Sequence, residues 1–206
     1  MEPLGLSFWL AAVTLALCLA AAIELFIGNR SVGALRDMSP LPEAIAKRVS
    51  LIIAARNEQR NIRTALQSLL DLGYPDYEVI VIDDRSEDGT GRILDDMAAA
   101  TPRLTGIHID RLPPGWLGKN HALWTGSRQA TGEYLLFSDA DIVMEPTVVT
   151  RAVAYMDLHR LDHLAATPSM HMPTAFLGMC GASFIITFSL FTRPWKAQRI
   201  PPAVAI

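Results

Sequence analysis

Two acidic pairs in this chain each follow an apolar run. Asp83 and Asp84 close the run EVIVIDD, and Asp139 and Asp141 close the run EYLLFSDAD. Each pair is therefore expected at the exit of a buried strand, where an open α/β sheet places its ligand crevice. A carboxylate at that position stays hydrated enough to hold a divalent cation. Together the two pairs predict a metal-assisted enzyme that handles a nucleotide.

Asp139 and Asp141 have the spacing of a cation site. Side chains at positions i and i+2 of an extended segment point the same way, and the small Ala140 leaves room between them. Oxygen ligands suit Mg²⁺ or Mn²⁺, and these ions complete their coordination with water and substrate phosphates. Asp-x-Asp alone is a short, common pattern that also occurs in surface loops. The earlier acidic pair, at the end of another predicted strand, favours the ligand site.

Asp83 and Asp84 are predicted to contact the nucleotide. Adjacent carboxylates repel each other unless something compensates for their charge. An acid at a strand end can accept hydrogen bonds from a nucleobase edge or a ribose hydroxyl. The Ser86, Asp88 and Thr90 that follow are ordinary turn and capping residues. Nucleotide contact is therefore favoured over a role as turn acids.

Lys119 is a candidate phosphate ligand. The segment Gly118-Lys119-Asn120 begins an amphipathic stretch, and the free backbone N–H groups at a helix start attract phosphate. Lys119 would add a point charge there, although its position also suits an exposed first-turn lysine. Nearby, His121 is interpreted as structural, and Trp116 is a candidate for lining the sugar or lipid side.

Apolar runs alternate with helical periodicities through the middle of the chain. Such alternation predicts an α/β fold with a mainly parallel sheet flanked by helices. Strands in such a sheet are covered on both faces, which explains continuous runs such as VIVI. The predicted strands are VSLIIA from Val49, 78–82, 104–109 and 133–138, with a possible further strand at 163–168. The predicted helices are 62–70, 89–100, 119–130 and 147–159.

The N-terminal segment 4–28 is predicted to be a transmembrane signal anchor. It is uncharged except for Glu24 and supplies about the 20 apolar residues needed to cross a bilayer. The chain begins Met-Glu, without the basic start of a cleaved signal peptide. Basic residues follow the segment, so the positive-inside rule predicts an outside N-terminus and a cytoplasmic catalytic domain. Residues 29–48 are interpreted as a linker.

The segment 174–191 is a second uncharged stretch, followed by the basic and aromatic sequence RPWKAQR. This combination suits either a short membrane crossing or a helix in the interface. We favour an interfacial or re-entrant helix, because a full crossing would carry the chain away from the ligand site. Residues 192–206 are expected to be the incomplete start of an acceptor-binding part.

The composition argues against two other kinds of site. The net charge is −3, and no Lys/Arg run with interleaved aromatic residues appears, so a nucleic-acid partner is not expected. Cys18 and Cys180 lack the spacing of a metal site or a disulfide framework.

Four motifs in order carry a family resemblance: VSLIIAARNE, EVIVIDDRSEDGT, GWLGKNHAL and YLLFSDADI. They resemble the inverting family 2 glycosyltransferases, which have the GT-A fold, and the match covers about Val49 to Pro146. The resemblance implies a GT-A donor-binding domain at 49–169. It also implies a donor site built from Ala55, Arg56, Glu58, Asp83, Asp84, Lys119 and Asp139.

The resemblance assigns these residues different roles. Ala55, Arg56 and Glu58 would line the nucleotide pocket. Asp83 or Asp84 would contact the base. Lys119 would approach the diphosphate. Asp139 would face the ribose or diphosphate, and with Asp141 it would hold Mn²⁺ or Mg²⁺.

The implied reaction is displacement at the anomeric carbon of a nucleotide sugar, with a UDP-sugar favoured as donor. The metal and Lys119 would stabilise the charge on the leaving diphosphate. The membrane anchor favours a lipid alcohol as acceptor. The family's general base is usually an Asp beyond the donor half, a region this chain is expected to lack, so it stays unassigned.

Alternatives differ in what they require of the chain. A catalytically incompetent, membrane-anchored nucleotide-binding fragment would bind donor without transferring sugar. A processive polysaccharide synthase is disfavoured because only one membrane helix precedes the domain. A dinucleotide oxidoreductase or a nucleotidyltransferase would need a Gly-rich loop after the first strand, where this chain has AARNEQRN.

Overall fold

The computed structural model describes residues 5–39, 47–170 and 172–199, and the chain divides into two compact units. Residues 35–165 belong to the larger unit, and the two flanking parts of the chain belong to the smaller one. Much of the predicted linker, at 40–46, and the end of the chain from 200 onward lie outside the described residues.

The larger unit contains a parallel sheet with helices on both faces, which confirms the predicted fold class. Its strands lie in the order β3-β2-β1-β4, and every pairing is parallel. The strands are β1 (Val49–Ala55), β2 (Tyr77–Asp84), β3 (Leu104–Ile109) and β4 (Tyr134–Asp139). The helices of this unit are α2 (Ile62–Leu70), α3 (Thr90–Ala100), α4 (Gly118–Ser127) and α5 (Val148–His159).

Each strand of the sheet centre buries side chains on both faces. Leu51 and Ile53 of β1 lie in the apolar cluster that includes residues of α2, α3 and α5. Ile52, between them, faces the other way and belongs to the cluster that includes Ala122 of α4. Because side chains alternate along a strand, covering both faces requires an unbroken apolar run.

The carboxyl ends of three strands meet at one edge of the sheet. The pairing register places Ala55 of β1 beside Asp83 of β2, and Ala54 beside Asp139 of β4. The chain moves from β1 to β2 on one side and reaches β4 on the other side of β1. This is the reversal of strand order that creates a ligand crevice in open α/β sheets.

The prediction of a possible strand at 163–168 is wrong. Residues 163–170 form neither helix nor strand, and β4 is the edge of the sheet in the described part of the chain. A strand needs a neighbour to pair its backbone N–H and C=O groups, and β propensity alone does not supply one.

The smaller unit contains two long apolar helices, α1 (Leu6–Ser31) and α6 (Ala175–Thr192). Both are long and apolar enough to cross a membrane. After α6, Arg193 and Lys196 form ion pairs with Glu24 of α1, at 3.0 and 3.1 Å. These contacts hold the end of α6 near the last turns of α1.

Candidate functional site

The loops after β1 and β2 are joined by hydrogen bonds. The backbone N–H of Asn57 donates to Ser86 Oγ at 2.9 Å, and the N–H of Glu87 donates to Asn57 Oδ1 at 2.8 Å. The N–H of Glu58 donates to Thr90 Oγ1 at 2.8 Å. Asn57 has a φ of 57°, in the left-handed region that asparagine tolerates. These hydrogen bonds therefore fix the backbone of the two loops that follow β1 and β2 at the crevice.

Asp84 is held by Arg85. Arg85 donates from Nε and Nη2 to the two carboxylate oxygens of Asp84, at 2.8 and 2.9 Å. This hydrogen bonding and the Arg85 charge lower the pKa of Asp84, outweighing burial, and the charges of Arg56 and His121 add to the effect. A Cβ at Gly118 would lie 2.5 Å from Asp84 Oδ2, so a glycine there lets α4 start close to this pair.

We expect the Asp84 pair to contribute to acid sensitivity. A carboxyl whose folded-state pKa is lowered adds stability that is present above its unfolded pKa of about 3.9 and is lost as pH falls through the folded value. Asp84→Asn should therefore be less stable than wild type at pH 7 but lose less stability between pH 5 and pH 2. Urea unfolding of the full-length chain across this pH range measures the slopes. Asp71→Asn is the control, because Asp71 is an exposed acid at the C-terminal end of α2. If stability fell equally with pH in Asp84→Asn and in wild type, Asp84 would not be a source of the acid sensitivity.

Asp83 has a histidine beside it instead of an arginine. Its Oδ2 lies 3.0 Å from His108 Nδ1, and the other ring nitrogen of His108 lies 2.9 Å from Asp95 Oδ1. The backbone N–H of Ser86 donates to Asp83 Oδ1 at 3.3 Å. Hydrogen bonds that His108 donates to the carboxylates of Asp95 and Asp83 raise the pKa of His108 against the opposing effect of burial.

Lys119 projects from the first turn of α4 and forms an ion pair with Asp139 at the end of β4. Both side chains are more than half exposed. The residue before the helix, Leu117, provides no side-chain cap, so the first backbone N–H groups of α4 remain available to a ligand. The N-terminus of α4 and Lys119 together offer positive charge to a phosphate.

Asp141 stands apart from the strand that precedes it. The prediction that Asp139 and Asp141 share one extended segment is wrong at its second member, because β4 ends at Asp139 and a turn begins at Ala140. Asp141 is exposed, and its side chain has no hydrogen bond or ion pair to the described residues.

The residues at this edge match a cation that takes few protein ligands. The described residues contain no cluster of three or more His, Cys, Asp or Glu side chains suited to a metal. Asp139 is engaged by Lys119, whereas Asp141 is available. Mg²⁺-type ions typically use one or two carboxylates and complete their shell with water and substrate phosphates, so this donor set fits such an ion.

An aromatic group borders the start of α4. The Trp116 ring lies 5.3 Å from both the His121 and Trp124 rings, centroid to centroid. His121 Nδ1 is buried and has no hydrogen-bond partner among the described residues. Trp116 and Trp124 remain partly exposed, so this group presents an apolar surface beside Lys119.

The predicted donor residues gather at the carboxyl edge of the sheet. Ala55 is buried at the end of β1, Arg56 is exposed and Glu58 is half-buried. His108 and Arg85 were not among the residues predicted from sequence. Arg85 directly follows the acidic pair, which is a local signal, whereas His108 becomes relevant only once β3 is paired in register with β2.

Comparison with known proteins identifies a matching protein family. The family model described as Glycosyl transferase family 2 matches residues 50–174, more than half of the chain. Among curated proteins, the poly-beta-1,6-N-acetyl-D-glucosamine synthase of Staphylococcus epidermidis is 34% identical over 98 residues, which cover 47% of this chain and 22% of that protein. The 4,4'-diaponeurosporenoate glycosyltransferase of Staphylococcus haemolyticus is 35% identical over 94 residues, covering 46% and 24%. The chain thus spans about a quarter of the length of these relatives.

Solved structures support the same fold. The mannosyltransferase PcManGT from Pyrobaculum calidifontis, in complex with GDP-Man and Mn²⁺, matches with a TM-score of 0.57 and 28% identity, over 71% of this chain and 42% of that chain. TarS 1–349 of S. aureus matches with a TM-score of 0.50 and 25% identity, over 62% and 39%.

Proposed function

The chain belongs to glycosyl transferase family 2, and from that membership we propose that it transfers a sugar from a nucleoside diphosphate sugar to an acceptor hydroxyl. One observation carries the proposal. Asp83, Asp139 and Lys119 come from three separate elements and meet at the carboxyl edge, where strand order reverses. That edge is where open α/β sheets bind nucleotides.

The nucleoside would lie against the ends of β1 and β2. Ala55, Arg56 and Glu58 would line this part of the pocket. Asp83 is favoured over Asp84 as the base contact, because Arg85 engages both oxygens of Asp84. Oδ1 of Asp83 has one long hydrogen bond and retains capacity to accept another.

The diphosphate would lie at the start of α4. Lys119 is held toward β4 by Asp139, and a phosphate would compete for its charge. As the bond to the anomeric carbon breaks, negative charge grows on the leaving diphosphate. Lys119 and the backbone N–H groups of α4 would stabilise that charge, which is a major source of catalysis in such sites.

Asp141 would hold Mn²⁺ or Mg²⁺, with Asp139 as the second carboxylate. The bound ion would act as a Lewis acid toward the diphosphate oxygens. The similar structure of PcManGT is a complex with GDP-Man and Mn²⁺, which supports the use of a divalent metal. Carboxylate ligands do not separate the two ions by type.

The donor is proposed to be a UDP-sugar, with a GDP-sugar as the competing choice. The test is calorimetric titration of the full-length chain in detergent with UDP and with GDP, each with and without Mn²⁺. Metal-dependent binding of UDP, tighter than that of GDP, is the expected result. If a folded chain binds neither nucleotide, the proposed donor site is wrong.

The acceptor is proposed to be a lipid alcohol at the membrane surface. Both α1 and α6 expose apolar side chains along most of their length, as lipid-facing helices do. We propose that α1 spans the bilayer, with its N-terminus outside and the larger unit in the cytoplasm.

The ion pairs of Glu24 support an interfacial or re-entrant α6. The helix has 18 residues and is about 27 Å long. A full crossing would therefore carry its end to the opposite side of the bilayer from its start. Arg193, directly after α6, instead contacts Glu24, about two turns before the end of α1. Cysteine labelling of a Thr192→Cys variant in sealed vesicles, with the native Cys18 and Cys180 replaced by Ser, tests which side this end faces.

Lys119→Gln is expected to weaken UDP binding about 10-fold while changing uridine binding little, because the lost ammonium acts on the diphosphate. Calorimetry with UDP and with uridine separates the two effects. Arg128→Gln is the matched control, since Arg128 is an exposed cation at the other end of α4. A parallel loss of uridine and UDP affinity would contradict this role and indicate a structural one.

A further inference from the structure

His108 links two carboxylates beside the proposed donor site. Its ring nitrogens face oxygens of Asp83 and Asp95, at 3.0 and 2.9 Å. A neutral imidazole has one N–H, whereas the imidazolium form donates to both carboxylates. We propose that protonated His108 is a positioning residue that holds Asp83 toward the nucleobase, so that donor affinity depends on the charge of His108. This inference rests on the proposed function, which assigns Asp83 to the base.

The arrangement is built into the sheet and the start of α3. The register of β2 and β3 pairs Asp83 directly with His108. A Cβ at Gly91 would lie 2.8 Å from Asp83 Oδ2 and 3.4 Å from His108 Cε1, so the glycine leaves space for the pair. The Asp83 side chain is 9% exposed and that of His108 is 41% exposed, so the imidazole can exchange protons with solvent.

The two acids of the Asp83-Asp84 pair therefore have different basic partners. Arg85 compensates Asp84 and stays charged at every physiological pH. His108 compensates Asp83 only while its imidazole is protonated. Loss of one His108 proton would leave a single N–H to serve two facing carboxylates, those of Asp83 and Asp95. The hydrogen bonding of the Asp83 side chain to an imidazole therefore depends on pH, whereas the hydrogen bonds from Arg85 to Asp84 do not require a group that titrates near neutral pH.

The direction of the pH effect follows from the groups that face the imidazole. These are Asp83 on β2 and Asp95 on α3, and both raise the pKa of His108 above its ordinary value of 6.5, Asp95 most strongly. The imidazolium form is therefore present at low pH and persists above the ordinary range. Donor affinity should be highest there and should fall as pH rises through the pKa of His108.

The experiment measures donor affinity of the full-length chain from pH 5.5 to 9. The probes are UDP-glucose and GDP-mannose, because their diphosphate diesters do not titrate in this range. In parallel, the ring Cε1–H signal of His108 is followed by NMR. Affinity is expected to fall roughly 5-fold, as for a weakened charge-assisted hydrogen bond, with the same midpoint as the NMR signal.

Two variants test the link between the charge and the affinity. Asp95→Asn removes the largest influence on His108 without altering a proposed nucleotide contact, so both midpoints should move to lower pH together. His108→Gln should bind at the weak, high-pH level of wild type across the whole range. Because Asp95 belongs to α3 and contacts His108, the first variant also distinguishes His108 from His121 as the titrating group.

Three results would overturn the inference. Donor binding that is independent of pH would do so, as would an affinity midpoint that stays fixed in Asp95→Asn while the NMR midpoint moves. In both cases the proposed donor site would stand. Absence of binding of either probe at every pH, by a folded chain, would overturn the proposed function together with the inference.

Discussion

Asp141→Asn is expected to remove the Mn²⁺-dependent part of UDP binding, with a loss on the order of 100-fold in apparent metal affinity. The amide keeps the size of the side chain but removes the negative charge that a hard cation requires. The effect should be large because Asp139 already shares its charge with Lys119, whereas Asp141 has no partner in the part of the chain that the structure describes. Titration of Mn²⁺ at fixed UDP measures the change.

Asp110→Asn is the control for this prediction. Asp110 is also exposed and follows β3 at the same edge of the sheet, but two strands away from β1. This variant should keep wild-type metal dependence. An Asp141→Asn variant with unchanged metal dependence would show that the cation, if used, is held elsewhere. Equal losses of metal affinity in Asp141→Asn and Asp110→Asn would indicate a general effect of negative charge at the carboxyl edge of the sheet.

Gly132→Ala is expected to destabilise the larger unit by about 3 kcal/mol, a large share of the stability of an ordinary domain. A Cβ at this position would lie 2.6 Å from the backbone N of Ser50 and 2.9 Å from the carbonyl carbon of Val49. These atoms belong to the buried strand at the centre of the sheet and cannot move aside as a flexible side chain would. The methyl group would also disturb the hydrogen bond from the Gly132 N–H to Ser50 Oγ, which is 2.8 Å long.

Gly73→Ala provides the matched comparison. A Cβ there would meet only the carbonyl oxygen of Pro146, at an ordinary 3.5 Å, so the change should cost little. Urea unfolding of the full-length chain, with hydrogen exchange of β1 amides as the local readout, measures both variants. Equal stability of Gly132→Ala and Gly73→Ala would contradict the close packing of the backbone at Gly132 against β1.

Sequence pattern predicted which residues lie at the carboxyl edge of the sheet better than it predicted their contacts. Asp83 and Asp84 end β2 and Asp139 ends β4 as expected, because an apolar run must stop where the sheet meets solvent. The orientation of Asp141 was predicted wrongly, because the strand ends before this residue and a turn follows. Strand periodicity does not specify how a turn directs its side chains.

The possible strand at 163–168 failed for a related reason. Its composition suits a strand, but pairing requires a neighbour, and the described sheet has none beyond β4. A local pattern carries no information on whether such a neighbour exists.

By itself the sequence determined the α/β class, the order of strands and helices, the family and the residue types at the carboxyl edge. These depend on local hydrophobic periodicity and on short motifs, which are properties of neighbouring residues. Only the tertiary structure decided which basic side chain lies against each acid: Arg85 against Asp84, His108 against Asp83 and Lys119 against Asp139. Apart from the adjacent Arg85, these pairings join residues distant in the chain. Their partners are fixed by strand register and by how closely a helix can approach the sheet, which no local pattern encodes.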